Sequence, residues 1–148
     1  MIEVISSETR GPMNLREVVV DTDILSALMR NNPTVVANAE AYLTQYAHLS
    51  LSIITRYEIL RGLKANNAAR RVTAFEEFCA NNKILPITEE VVSQAAEIYA
   101  DLYKRGALIG DADILIAASA LVNGLGIVTN NESHFSRIAS LHVENWQK

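Results

Sequence analysis

"VVVDTDILS" (residues 18–26) runs three valines into an acid, Asp21, and sets a second acid, Asp23, before the apolar residues resume. Consecutive β-branched residues with no polar alternation predict a strand buried on both faces, the usual state of a strand in a parallel sheet. The abrupt change to carboxylates, followed by the helical pattern of "ILSALMR" (24–30), predicts that the strand's carboxyl end opens into a polar crevice.

Outward from this stretch, short apolar runs alternate with helical patterns. "TVVANAEAYLTQYA" (34–47) predicts a helix with Val35, Val36, Ala39, Leu43 and Tyr46 close to one face. "HLSLSII" (48–54) alternates like a strand and "TRYEILRGLKA" (55–65) follows as a helix. "ARRVTAFEEFCANN" (69–82) sets Val72, Phe75 and Cys79 at helical spacing, and "ILPI" (84–87) predicts a short strand, with Pro86 marking a sheet edge or the strand's end. "EEVVSQAAEIYADLYKRG" (89–106) predicts a long helix carrying Val91, Ala95, Tyr99 and Leu102, stopped by Gly106. "DADILIAASALVNG" (111–124) predicts a central apolar helix, "GIVTN" (126–130) a buried strand and "LHVENW" (141–146) a final edge strand. Strands separated by helices need crossover connections. The expected fold is therefore α/β, a parallel sheet of four to five strands covered by helices on both faces. Ligands in such sheets bind beyond the carboxyl ends of the strands. Residues 1–16, with Gly11-Pro12 and no periodicity, are expected to form a flexible arm ahead of a domain spanning 17–148.

Composition narrows the class. The 148 residues are 49% hydrophobic and 20% charged, which describes a globular domain with one sizeable core. No apolar run approaches a membrane span, and "MIEVISSETRGPMNLRE" is too polar to read as a signal peptide, so a cytoplasmic protein is expected. A single cysteine, Cys79, rules out an intramolecular disulfide and fits a small buried hydrophobe. The net charge of −4 argues weakly against a broad nucleic-acid surface, but Arg56, Arg61, Lys64, Arg70 and Arg71 cluster locally.

Each acid near a strand end has two readings. Asp21 suits a helix cap or a crevice, and Asp23, nearer the helix, is the better cap. Thr55-Arg56-Tyr57-Glu58 matches a capping box, yet sets Glu58 above a strand end. Asp111 and Asp113 cannot both cap the helix after Gly110, which leaves one at the mouth of an apolar element. Asn130-Asn131 reads as a turn after Thr129, and His48, His134 and His142 read as loop or surface residues. Taken together, acids or their amides recur where a parallel sheet gathers them at one edge. Mg²⁺ or Mn²⁺, which prefer oxygen ligands, resolves their mutual repulsion, and the matching chemistry is phosphodiester hydrolysis.

The order of "VVVDTDIL", "SIITRYEILRG", "IGDADILIAASA" and "GIVTNNESHFSRI" resembles the four signature segments of the PIN domain, and more narrowly the VapC toxins of bacterial toxin–antitoxin pairs. The likeness runs from about Val18 to Trp146. It implies a PIN-like three-layer sandwich and a Mg²⁺- or Mn²⁺-dependent endoribonuclease that cuts structured RNA such as tRNA or rRNA. It also implies a VapB-like antitoxin as inhibitor and a homodimer. The resemblance carries metal-binding and catalytic roles onto Asp21, Glu58 and Asp113. Thr22, Asp23, Asp111, Thr129 and Asn131 become supporting residues, and Arg56 and Arg61 candidates for steering RNA. Two departures stand out: Asp23 where many members have asparagine, and Asn131 where many have a fourth acid. Two alternatives remain open, a non-catalytic PIN-like binding module and a haloacid-dehalogenase-like phosphatase. The second lacks the expected threonine, since Leu25 holds that position.

Overall fold

The computed structural model describes residues 14–148. Residues 1–13, most of the expected arm, lie outside them. Of the arm's last three residues, Leu15 is tied to the domain: its N–H donates to Gln45 Oε1 at 3.1 Å and its carbonyl accepts from the Tyr46 hydroxyl at 2.6 Å.

The valine run forms β1 (Val18–Val20), and it is followed directly by α1 (Thr22–Met29) and α2 (Pro33–Leu43). Next come β2 (Ser50–Ser52), α3 (Ile53–Ala65), α4 (Ala69–Ala80) and β3 (Lys83–Leu85). The chain then crosses back through α5 (Glu89–Lys104) and α6 (Asp111–Val122) to β4 (Gly126–Val128). The short α7 (Glu132–Phe135) and β5 (Val143–Glu144) complete it. The five strands lie in the order β3-β2-β1-β4-β5, every pairing parallel. Val19 of β1 stands opposite Ser50 on one side and Ile127 on the other. The expected fold class and both expected edge strands are thus present.

The three valines are fully buried, and their alternation splits the core. Val18 and Val20 face a cluster built by α1 to α4, including Leu25, Val35, Ile59 and Phe75. Val19 faces the opposite cluster of α5, α6 and α7, including Leu102, Ile116 and Phe135. Two helical layers on one sheet make the three-layer sandwich. Side-chain caps set several helix starts: Asn32 Oδ1 accepts from the N–H groups of Thr34 and Val35 ahead of α2, and Thr88 Oγ1 from Val91 at the head of α5. Among the described residues no helix is long and apolar enough to cross a membrane.

Two helices are rotated slightly from their expected faces. In α2 the third buried residue is Tyr42, whose hydroxyl accepts from the Val18 N–H at 3.2 Å, while Leu43 is 42% exposed. In α5 Ile98 is buried and Tyr99 is exposed, stacking on Tyr103. In both cases a residue one position earlier keeps the 3.6-residue period in phase with the sheet.

β1 is central, and the chain builds outward from it first through β2 and β3, then through β4 and β5. The order therefore reverses between β1 and β4, the place where an open α/β sheet leaves a crevice. Asp21 stands there.

Candidate active site

Asp21 is the residue after β1 and the N-cap of α1. Its N–H continues the sheet by donating to Val128 O at 2.9 Å, and its extended backbone (φ −70°, ψ 160°) points the side chain at the helix start. Oδ1 accepts from the Thr22 N–H at 2.8 Å and Oδ2 from the Thr129 hydroxyl at 2.7 Å. The cap is thus Asp21, not Asp23 as expected, because helical geometry begins at Thr22. One carboxylate both caps and faces the crevice. It is only 5% exposed. Burial pushes its pKa up from 3.8 to about 7, helped by the charge of Asp23. The Thr129 and Thr22 hydrogen bonds pull it down, and Asp113 adds a further upward push.

Asp23 lies in the first turn of α1, where Oδ2 accepts from the Asn130 N–H at 3.1 Å. Burial raises its pKa as well, against hydrogen bonds from Asn130 and Ile24. Among the described residues its Oδ1 is a buried side-chain atom with no partner. Two carboxylates held side by side at a strand end, both with raised pKa, are costly by themselves.

The capping box expected at Thr55–Glu58 does not form. Ser52 caps α3 instead, its Oγ accepting from the Ile54 N–H at 3.0 Å, so the helix starts at Ile53 and Thr55 is fully buried inside it. This leaves Glu58 free of the backbone. Its Oε1 accepts from the Thr22 hydroxyl at 2.7 Å, and Thr22 Oγ1 lies 3.0 Å from Thr55 Oγ1, a hydroxyl relay that fixes Glu58 relative to Asp21.

Neither aspartate of α6 caps its helix. Gly110 holds the N-cap position without a side-chain bond, Asp111 is the exposed first residue, and Asp113 is the third, turned toward the sheet end. Asp113 Oδ2 is 3.3 Å from His134 Nδ1, which is also 2.8 Å from Asn131 Nδ2. With one proton at most, Nδ1 either accepts from Asn131 or donates to Asp113. His134 is therefore a site neighbour that its place in a polar loop concealed. The signal was its position three residues after Asn131, one helical turn, through the short α7.

The resulting cleft, about 370 Å³, is lined by Asp21, Thr22, Asp23, Glu58, Arg61, Asp113 and Asn131. Four carboxylates meet one guanidinium. Arg61 lies over the Tyr57 ring, 5.2 Å from its centroid, and 3.9 Å from Glu58 Oε2. Arg56 does not line the cleft; its guanidinium forks onto Glu76 of α4 at 2.5 and 3.4 Å. Thr129 acts from beneath, bonded to Asp21 and accepting from the Asn131 N–H at 2.9 Å. Asp111 stands outside.

An oxygen-only donor set, a carboxyl held near neutral pH and an orphaned buried carboxylate oxygen together describe a site short of positive charge. That fits a hard divalent cation, which keeps several waters and needs only one or two direct carboxylates. Among the described residues no three His, Cys, Asp or Glu side chains are drawn together into a ready-made cage.

Known proteins resemble this chain in sequence and in fold. The PIN domain family model matches residues 18–141. Ribonuclease VapC1 of Methanocaldococcus jannaschii is 30% identical over 132 residues, covering 89% of this chain and 88% of that protein. The tRNA(fMet)-specific endonuclease VapC of Shigella flexneri is 29% identical over 129 residues, 86% of this chain and 96% of that protein. In structure, the DNA-bound VapBC of Salmonella typhimurium superposes with a TM-score of 0.79 at 26% identity, over 89% of this chain and 99% of the other. With its acids at the sheet's reversal point and a match over most of its length, the chain belongs to the PIN-domain family and groups within it with the VapC proteins.

Proposed function

We propose that this chain is a Mg²⁺- or Mn²⁺-dependent endoribonuclease, a VapC-like toxin that hydrolyses phosphodiester bonds in structured RNA and is neutralised by a VapB-like antitoxin. The observation that carries this reading is the convergence of Asp21, Glu58 and Asp113, from three separate elements, on one cleft whose chemistry calls for a cation. The relatives named ribonuclease and endonuclease support the reaction class, and the VapBC complexes among its structural neighbours support the antitoxin. Membership of the PIN-domain family leaves no room for the phosphatase alternative.

Asp21, Glu58 and Asp113 would hold the cation, with Asn131 as a neutral oxygen donor beside them. When bound, such a cation makes water nucleophilic near neutral pH and offsets charge developing on the phosphate. The chain's residues supply position. Thr129 and the Thr22 N–H hold both Asp21 oxygens in place, and the Thr22 hydroxyl orients Glu58. Arg61, the one cationic side chain among the described residues that line the cleft, offers its charge to a phosphate oxygen. We place the protein in the cytoplasm, in keeping with its one free, buried thiol at Cys79. The exposed stripe Val92, Tyr99 and Tyr103 along α5 offers a homodimer surface.

Cleavage of total cellular RNA by purified, antitoxin-free protein tests this, with Mg²⁺, Mn²⁺ or EDTA and with Asp21→Ala alongside. Discrete fragments that require both the cation and Asp21 are expected. Equal cleavage by Asp21→Ala overturns the assignment. No cleavage by a folded, cation-loaded protein favours the non-catalytic binding module, to which Asn131 lends some support because an amide binds a cation less strongly than the acid many members have there.

A further inference from the structure

A second groove, about 240 Å³, runs between α1, α3 and the beginning of α4 and shares Thr22 and Glu58 with the acidic cleft. Arg30, at the end of α1, and Arg71, in the first turn of α4, both line it. Both are exposed, and among the described residues neither belongs to an ion pair, whereas Arg56 is taken by Glu76 and Arg105 by Asp101. Among the described residues, an acidic chain has placed two guanidiniums outside any ion pair beside the cleft lined by four carboxylates.

Gly62 lines the same groove from the interior of the 13-residue α3. A glycine inside a helix costs about 1 kcal/mol relative to alanine. Nothing among the described residues requires it: beyond its own stretch of helix a Cβ built there meets no atom within 4 Å, and its φ is not in the left-handed region. The missing side chain leaves room for something outside the chain to lie close to the helix.

We propose that this groove carries the RNA strand next to the scissile phosphate, with Arg30 and Arg71 gripping consecutive backbone phosphates and Gly62 giving the strand a bare floor. The proposal rests on the nuclease reading above. Charge decides the occupant. Guanidiniums fork onto phosphate oxygens, the hydroxyl of Ser26 and the amide of Asn66 offer partners for ribose, and Met29 and Leu63 between them suit the apolar faces of sugar and base. Continuity with the cleft then delivers the neighbouring phosphate to Asp21, Glu58 and Arg61. Specificity for sequence or structure near the cut is set along this groove, away from the acids.

Binding of a short fluorescein-labelled single-stranded RNA, measured by anisotropy in EDTA over a salt series, separates this proposal from the nuclease reading because no cleavage occurs. Arg30→Gln and Arg71→Gln are each expected to weaken binding about five- to tenfold and to flatten the salt slope by about 0.7. Gly62→Leu, which adds bulk where the structure has open space, is expected to weaken binding comparably while melting at or above the wild-type temperature. Wild-type affinity and slope in all three variants overturn the groove assignment even if the protein cleaves RNA. If Gly62→Leu binds RNA normally but escapes neutralisation by the antitoxin, the groove holds a peptide and the proposal is likewise overturned. Arginine-dependent binding by a protein that fails to cleave would retain the groove and remove the nuclease.

Discussion

Asparagine at Asp21 raises the stability of the cation-free protein, and the gain grows with pH. The buried carboxyl has its pKa near 7 in the fold against 3.8 unperturbed. A folded value above the unfolded one means that the native state holds a proton the unfolded chain has released. Wild-type stability is thus fully present below about pH 4 and is lost as pH rises through 7. At about pH 8 the whole shift counts, about 3 units or about 4 kcal/mol; at about pH 5 only about 1.2 units count, about 1.7 kcal/mol. Asparagine keeps the cap on the Thr22 N–H but cannot accept from Thr129, a loss of about 1 kcal/mol at either pH. The net gain is then about 3 kcal/mol at about pH 8 and below about 1 kcal/mol at about pH 5. Urea unfolding of both proteins in EDTA, followed by circular dichroism, measures it. Equal gains at the two pH values would refute the idea that the fold forces a proton onto Asp21.

Divalent cations reverse the same penalty: Mn²⁺ at ten times the dissociation constant it has at about pH 8 raises wild-type stability there by about 1.4 kcal/mol, less when the same concentration is used at about pH 5, and leaves Asp21→Asn nearly unmoved in a thermal melt. Asp111→Ala changes unfolding free energy by less than about 0.5 kcal/mol, since Asp111 caps nothing and stands outside the cleft; a loss near that of a true cap would show the helix start to be misassigned. Gly126→Ala destabilises by about 1–3 kcal/mol, because a Cβ there meets both the ring and the carbonyl of His142 at 2.9 Å; denaturant midpoints decide it. Gly62→Ala raises the melting temperature by several degrees, having open space and a better helix former.

The sheet was legible because Val18–Val20 and Gly126–Val128 are short, apolar and bounded by polar residues. A run that can lie only between two helical layers announces a parallel strand. The acids were legible by recurrence. Their local roles were not. Ser52 rather than Thr55 caps α3 because the strand gives way to the helix one residue after Leu51, and local patterns do not mark where a three-residue strand stops. Asp21 and Asp23 exchanged cap roles for the same reason, a boundary shift of one or two residues. His134 stayed hidden because its partner Asp113 is 21 residues away, and only the short α7 that follows β4 brings them together. Arg56 looked available until α4 supplied Glu76, a contact between helices that no linear pattern encodes.

The strand order has a consequence for how the protein is made. β1 emerges well before its partners: Asp21 is pinned by Thr129, 108 residues further on, and by the carbonyl of Val128. Asp113 and its neighbour His134 arrive equally late. A nascent chain still tethered near its carboxyl end therefore has its first acid without the partners that fix it. The cleft is assembled only when β4 slots in beside β1. However early its first acid emerges, the site cannot take its final geometry before residues 126–129 have been made.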